Sequence, residues 1–582
     1  MTDTARSLGP KLASILQRIY PDLDADILSS LVIEAFWPEG SSRRKRGRVP
    51  GNTLWSEQDA LLITYGNSIV DGAHKPLDLL YDFLGTYLEG TLNSVHILPF
   101  FPYTSDDGFA VSDFRAVNPQ LGDWPDIQRI AGKFNLMSDL VLNHVSSQGS
   151  WFNAYRQGQA PYDRFFFEAS PQDDLSTVVR PRTTPLLQEV ETANGPRHVW
   201  CTFSHDQIDL DFRNPEVLLE FLRIIRLHVD NGVEIIRLDA VAFLWKEIGS
   251  PSIHLPQTHA VIQLMRVLCD YASEKIILLT ETNVPKAENL SYFGAGREAH
   301  AIYNFPLPPL ILHAMMSGNA QYLHKWQRAM PPAPMGCAYL NFTASHDGIG
   351  MRPAEGLLPE DEKQQVIDTV KDLGGLVSMR SLPDGGESPY ELNTTFYAAM
   401  SRTFNGIDAH HHARFICSQT IVMSLEGIPA FYIHAMLATP NDHEQVEHRG
   451  MSRAINRHRW DYPTLRALLA DRDSPQALVM ASLSERLRIR KKQAAFHPNA
   501  TQFTVNLHDL RVFAVWRQSI DRAQSIFALH NVSDETISVS AALLNLIEDE
   551  DWVDLLGDAS FDAGADGITL APYQCMWITN RR

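Results

Sequence analysis

Four short apolar runs in this chain each lead into residues able to move protons or attack carbon. One ends Asp139-Leu140-Val141-Leu142-Asn143-His144, a second Arg237-Leu238-Asp239-Ala240, a third Thr280-Glu281-Thr282-Asn283, and a fourth continues into Ser345-His346-Asp347-Gly348. A single Asp after a strand is usually a turn or a helix cap. Four polar endings in phase with four strands point instead to one shared site. Several carboxylates converging on a pocket suit glycoside chemistry. One ionised carboxylate attacks the anomeric carbon and a protonated one gives its proton to the leaving oxygen, the pair lying ~5–5.5 Å apart where configuration is retained. A third carboxylate can bind sugar hydroxyls, and its charge helps keep the acid protonated. Arg237, two residues before Asp239, projects to the same side of a strand and can hold that carboxylate ionised.

Eight apolar runs are strand candidates: Leu61–Thr64, Val95–Pro99, Leu136–Leu142, Glu234–Leu238, Ile276–Thr280, Ala301–Asn304, Ala338–Phe342 and Ala430–Ile433. Most are separated by enough chain for a helix. Runs such as KIILLTET are apolar on both faces, as a helix-covered parallel sheet requires. The predicted fold is an α/β (β/α)8 barrel over residues 53–500, with its site at the carboxyl ends of the strands. Two gaps, at about 145–213 and 348–411, exceed a simple crossover and are expected to build the substrate pocket. Residues 1–52 are expected to be an N-terminal helical extension, with apolar positions at helical spacing over 10–36. Beyond about residue 500 the pattern turns β-only, so 501–582 is expected to be an antiparallel β domain.

The 582 residues suggest two to four domains, and their 44% hydrophobic and 20% charged composition is that of a globular chain. The net charge of −19 argues against nucleic-acid binding. The basic run Arg43-Arg44-Lys45-Arg46-Gly47-Arg48 reads as a solvated linker. The five scattered cysteines carry no metal or disulfide pattern. With no signal-peptide pattern and no long apolar stretch, the expected location is cytoplasmic, without membrane contact. Neither a P-loop nor a strand–GxGxxG–helix unit occurs, so no nucleotide cofactor is expected.

The segments DLVLNH, IIRLDA, LLTET and TASHD, in this order and at strand ends, resemble the four signature segments of the α-amylase family, glycoside hydrolase family 13. The resemblance runs from about Leu61 to the C-terminal domain. It implies Asp239 as nucleophile, Glu281 as general acid/base and Asp347 as transition-state stabiliser. It also implies Arg237, His144 and His346 as contacts of the glucosyl unit. Many relatives bind calcium near the position of Asn143, but no run of oxygen ligands here looks like a calcium loop. Asn143 is expected to position its loop by hydrogen bonding, and no metal is expected.

LITYGNSIVDG, VHILPFFPYTSDDGF, RPRTTPLL, SHDGIG and RAINRH are similar to the sucrose phosphorylase group of that family. That resemblance places Asp106 on the glucose hydroxyls, Phe109 as an apolar platform, Arg182 at the phosphate or acceptor, and Arg457 beside the glucosyl unit. Phe203, Gln207, Tyr390 and Glu391 complete the expected substrate contacts. The implied mechanism is double displacement, in which phosphate attacks a glucosyl–Asp239 intermediate to give α-glucose 1-phosphate. A phosphate dianion entering an acidic pocket needs arginines to offset the repulsion. Arg180, Arg182, Arg352, Arg453, Arg457 and Arg459 lie in the insertions and the segment after the barrel, where they can do so.

The chain departs from sucrose phosphorylases in its N-terminal extension, in Glu391 after Tyr390 where sucrose-specific members are expected to carry Gln, and in MRPAEGLLPEDE after SHDGIG. With FLWKE, TETNVP and YFGAG, these features resemble the glucosylglycerate and glucosylglycerol phosphorylases. Arg352 suits a glycerate carboxylate, whereas Glu391 suits glycerol hydroxyls; glycerate is favoured, with glycerol and sucrose or its phosphate as alternatives. The expected partners are a small glucoside and inorganic phosphate, and the oligomeric state is left open. A hydrolase or transglucosidase with the same carboxylates is the main rival. A non-catalytic carbohydrate-binding homologue would be expected to have lost one of the three.

Overall fold

The computed structural model describes residues 3–38, 54–382, 386–544, 546, 551–557, 559–561 and 567–580; the basic run 43–48 lies outside them. Eight short strands close into a parallel barrel: β1 (Leu61–Thr64), β2 (Ser94–Ile97), β3 (Asn135–Val141), β4 (Val233–Asp239), β5 (Ile277–Thr280), β6 (Ala301–Tyr303), β7 (Ala338–Asn341) and β8 (Ile428–Tyr432). Each pairs with the next in sequence, and β8 returns to β1 with Ala430 opposite Leu61. All eight are the strands expected from the sequence, and no end moves by more than two residues.

Register sets the site. In the β3–β4 pair, Asp139 lies opposite Arg237 and Val141 opposite Asp239. Parallel neighbours therefore bring Asp139 and Arg237 to one level, with Asp239 two residues further toward the carboxyl end on the same face. A one-residue slip would turn that set to the other face of the sheet.

The N-terminal segment forms two helices, α1 (Asp3–Ile19) and α2 (Ala25–Phe36), parted by a turn and by Asp24, whose side chain caps α2 by accepting from the Asp26 and Ile27 amides. They lie against the barrel helices α3 (Pro215–Asp230) and α4 (Pro256–Tyr271). Leu12, Leu16, Phe36 and Trp37 are buried in the same apolar core as the barrel. Tyr20 donates its hydroxyl to Phe212 O at 2.9 Å. Its ring meets Trp245, in the loop after β4, at 6.1 Å.

The long segment after β3 carries the strands His144–Ser146 and Gln207–Asp209, paired with each other, and a hairpin of Leu187–Thr192 with Gly195–Trp200. The segment after β7 carries a three-stranded sheet of Ile349–Gly350, Glu387–Asn393 and Leu376–Ser381. Gly348, at φ +99°, lets this sheet approach: a Cβ there would stand 2.5 Å from Leu392 O. From Thr501 onward, six strands form an antiparallel sheet. Its alternation divides the faces, as a period of two demands. Val512 and Ala514 join the sheet's own apolar cluster, while Phe513 and Val515 join the barrel core.

Candidate active site

The carboxyl ends of the barrel strands open into a solvent-connected cleft lined by carboxylates, arginines and aromatic rings. Asp239 terminates β4, and Glu281 follows β5 directly. The two loops are tied together: the Glu281 amide donates to Leu238 O, and the Ala240 amide donates to Glu281 Oε2, both at 3.0 Å. Ala240 adopts a left-handed φ of 50°, as do Asp106 and Asp107. Non-glycine residues held there are strained, and such strain gathers at functional sites.

Arg237 Nη1 donates to Asp239 Oδ1 at 2.6 Å and also to Asp139 Oδ1. Asp139 accepts a further hydrogen bond from His96 Nε2 at 2.7 Å. Burial raises the proton affinity of both Asp239 and Glu281; the Glu281 charge adds to the effect on Asp239, and the Asp347 charge to the effect on Glu281, while Arg237 opposes it in both. The two carboxyls titrate as a pair. The direct Arg237 contact assigns the negative charge to Asp239 and leaves the proton on Glu281. For Asp347, burial also favours protonation, but Arg453, His346 and Arg457 outweigh it and hold the carboxyl below the ordinary range. Burial pushes His346 down to about 3, so its imidazole is neutral at physiological pH.

One end of the cleft is walled by stacked and hydrogen-bonded groups. The rings of Phe109 and His346 lie parallel with centroids 4.8 Å apart. His144 Nε2 lies 3.0 Å from Phe109 O and 3.2 Å from Gln207 Nε2. Asn143 donates to Asp209 at 3.1 Å and accepts from Lys246 Nζ at 2.8 Å. This buried link ties the loop after β3 to the loop after β4, the positioning role expected of Asn143.

Of the expected site residues, Asp106, Phe109, His144, Arg182, Phe203, Gln207, Asp239, Glu281, His346, Asp347, Arg352, Tyr390 and Glu391 all line the cleft. Arg237 stands behind Asp239. Arg457 is not among the residues that line the cleft; it lies buried beside Asp106, with Nη1 2.7 Å from Asp107 and Nε donating to His346 O at 2.9 Å. From the same segment, the arginine that lines the cleft is Arg453, four residues earlier. Its Nη1 lies 2.8 Å from Asp347, and its Nε and Nη2 grip both oxygens of Glu391 at 3.1 and 2.7 Å. Glu391 therefore faces the cleft already committed to Arg453, which weakens the hydroxyl-binding role inferred for it. Phe243 and Asn283 also line the cleft. Both follow strand ends, but nothing in their residue types marked them.

Two cleft arginines have no carboxylate at hydrogen-bond distance among the described residues. Arg182 lies over the rings of Tyr390 and Phe203, 5.2 and 5.7 Å from their centroids. Arg352 is 3.8 Å from its nearest acid, Glu288.

A closed (β/α)8 barrel with paired carboxylates at the carboxyl ends of its strands has the arrangement of a glycoside-processing enzyme. Comparison with known proteins agrees: the catalytic domain of α-amylase matches residues 86–348. The chain is 43% identical to the glucosylglycerate phosphorylase of Spirochaeta thermophila over 554 residues, covering 92% of this chain and 94% of that one. It is 39% identical to the glucosylglycerate phosphorylase of Escherichia coli, over 90% of this chain and 92% of the other. Among solved structures, sucrose 6F-phosphate phosphorylase from Thermoanaerobacter thermosaccharolyticum shares the fold, with a TM-score of 0.71 at 24% identity over 82% of this chain and 94% of that one. The chain belongs to the α-amylase family, glycoside hydrolase family 13, and within it to the glucoside phosphorylases.

Proposed function

We propose that this enzyme transfers the glucosyl unit of 2-O-α-glucosylglycerate to inorganic phosphate, with retention. Asp239 attacks the anomeric carbon while Glu281 protonates the glycosidic oxygen, releasing glycerate and leaving a β-glucosyl ester on Asp239. Glu281, now a carboxylate, takes the proton of an incoming hydrogen phosphate as its oxygen attacks the same carbon. The ester bond to Asp239 breaks and α-glucose 1-phosphate leaves. Asp347, fixed by Arg453, binds the sugar hydroxyls and favours the oxocarbenium-like transition state.

The observation that carries the substrate assignment is the pair of arginines, Arg182 and Arg352, that line the cleft without a hydrogen-bonded acid. Two such cations suit reactants that are both anionic, glycerate and phosphate. Glycerol offers them no charge, and Glu391, the residue expected to serve glycerol, is held by Arg453. Similarity to the glucosylglycerate phosphorylases supports the same reading. All five cysteines are buried and free, which suits the reducing cytoplasm where phosphate is abundant. The test is phosphate-dependent sugar phosphate release from glucosylglycerate, glucosylglycerol and sucrose in parallel. Glucosylglycerate is expected to give the highest kcat/KM; preference for either neutral glucoside would overturn the assignment.

A further inference from the structure

Arg352 reaches the cleft from a short helical turn, Arg352–Ala354, in the segment after β7. The charged groups beside it come from two other loops. Glu288, on the helix Lys286–Ser291 after β5, places Oε2 3.8 Å from Arg352 Nη2. The same oxygen lies 3.1 Å from His254 Nε2, and His254 Nδ1 lies 2.6 Å from the Tyr292 hydroxyl. Burial raises the Tyr292 hydroxyl well above its ordinary value, so it stays protonated and donates to Nδ1. That fixes the tautomer, leaving Nε2–H to donate to Glu288. Tyr292 is itself locked by His259, stacked at 4.8 Å, and His259 Nδ1 is 2.7 Å from Glu298. The loop bearing His254 is held in an unusual course: Ser252 and His254 have φ of 49° and 56°, and the His254 amide donates to Ala242 O at 2.9 Å.

Neither His254 nor Glu288 lines the cleft, whereas Arg352 does. We infer that Glu288, oriented by His254, is a positioning residue that aims Arg352 at the acceptor carboxylate and so sets the preference for an anionic over a neutral acceptor. This rests on the glycerate reading above and extends it. An arginine on a long flexible stem loses rotamer freedom when it binds; holding its head in place beforehand removes part of that loss. Glu288 also opposes anion binding through its own charge, so the two possible roles predict opposite signs. A positioning carboxylate makes glycerate preference fall when it is removed; a mere brake on Arg352 makes it rise.

The experiment measures kcat/KM in the synthetic direction from α-glucose 1-phosphate, with glycerate or glycerol as acceptor, at fixed pH. In Glu288→Gln and His254→Leu the glycerate-to-glycerol ratio is expected to fall about tenfold, mainly through KM for glycerate. His254→Gln keeps an N–H donor toward Glu288 and is expected to stay within about threefold of the parent. In an Arg352→Ala background, Glu288→Gln is expected to lower the ratio no further. A ratio that is unchanged or raised in Glu288→Gln would overturn the inference while leaving the substrate assignment standing. A parent enzyme without preference for glycerate would remove the assignment, and this inference with it. Should His254→Leu fail to fold, Glu288→Gln and the Arg352→Ala background still decide the matter.

Discussion

Arg237 Nη1 lies 2.6 Å from Asp239 Oδ1 and bonds Asp139 through the same nitrogen, so one buried guanidinium holds both carboxylates. Its side chain is 3% exposed. Removing it leaves two buried carboxylates without their counter-charge. Arg237→Met is therefore expected to destabilise the fold by about 3–5 kcal/mol, read from denaturant unfolding, and to abolish turnover. Unchanged stability would show that Asp139 and Asp239 do not need the pair.

Burial, and with it the charge of Asp347, raises the proton affinity of Glu281, and the proposed mechanism needs one proton on the Asp239–Glu281 pair. Activity is expected to fall on the alkaline side as that raised group loses its proton, and on the acid side as the pair gains a second one. Asp347 and His346 titrate below this window. Glu281→Gln is expected to cut turnover of glucosylglycerate about 10²–10⁴-fold and to remove the alkaline limb. Activity on α-glucosyl fluoride, whose leaving group needs no proton, is expected to survive far better. An alkaline limb that persists in Glu281→Gln would assign it to another group.

Arg182 lies against the ring faces of Tyr390 and Phe203, spends one hydrogen bond on Pro181 O and meets no carboxylate, which leaves it available to phosphate. Arg182→Ala is expected to raise KM for phosphate at least about tenfold, the scale of one lost charge-assisted contact. Formation of the glucosyl–enzyme is expected to be less affected, so more of the intermediate partitions to water. Free glucose against glucose 1-phosphate gives the readout, and an unchanged ratio would exclude Arg182 from phosphate binding.

The N-terminal hairpin shares the barrel core, so it is expected to unfold with it. Leu12→Ala empties a fully buried site in that core and is expected to cost about 2–5 kcal/mol in one cooperative transition. A separate early transition would mean that the hairpin folds independently.

The eight barrel strands were legible because each is a continuous apolar run ending in polar residues, and the ends carrying Asp239, Glu281 and Asp347 sit where that pattern placed them. Arg453 and Arg457 share a segment, and sequence spacing cannot say which turns into the cleft. The tight turn Ser452–Asn456 and the pull of Asp107 on Arg457 decide it. Glu391 was readable as a cleft residue but not as the partner of Arg453, because that pair joins strands and turns 62 residues apart. The Glu288–His254–Tyr292 chain left no sequence mark, since it rests on left-handed backbone at Ser252 and His254.

The most direct measurement is the anomeric form of the sugar phosphate released from 2-O-α-glucosylglycerate, followed by NMR with and without inorganic phosphate. α-Glucose 1-phosphate, formed only when phosphate is present, is the expected result of a retaining phosphorylase acting through Asp239. β-Glucose 1-phosphate, or free glucose released equally with and without phosphate, would contradict it.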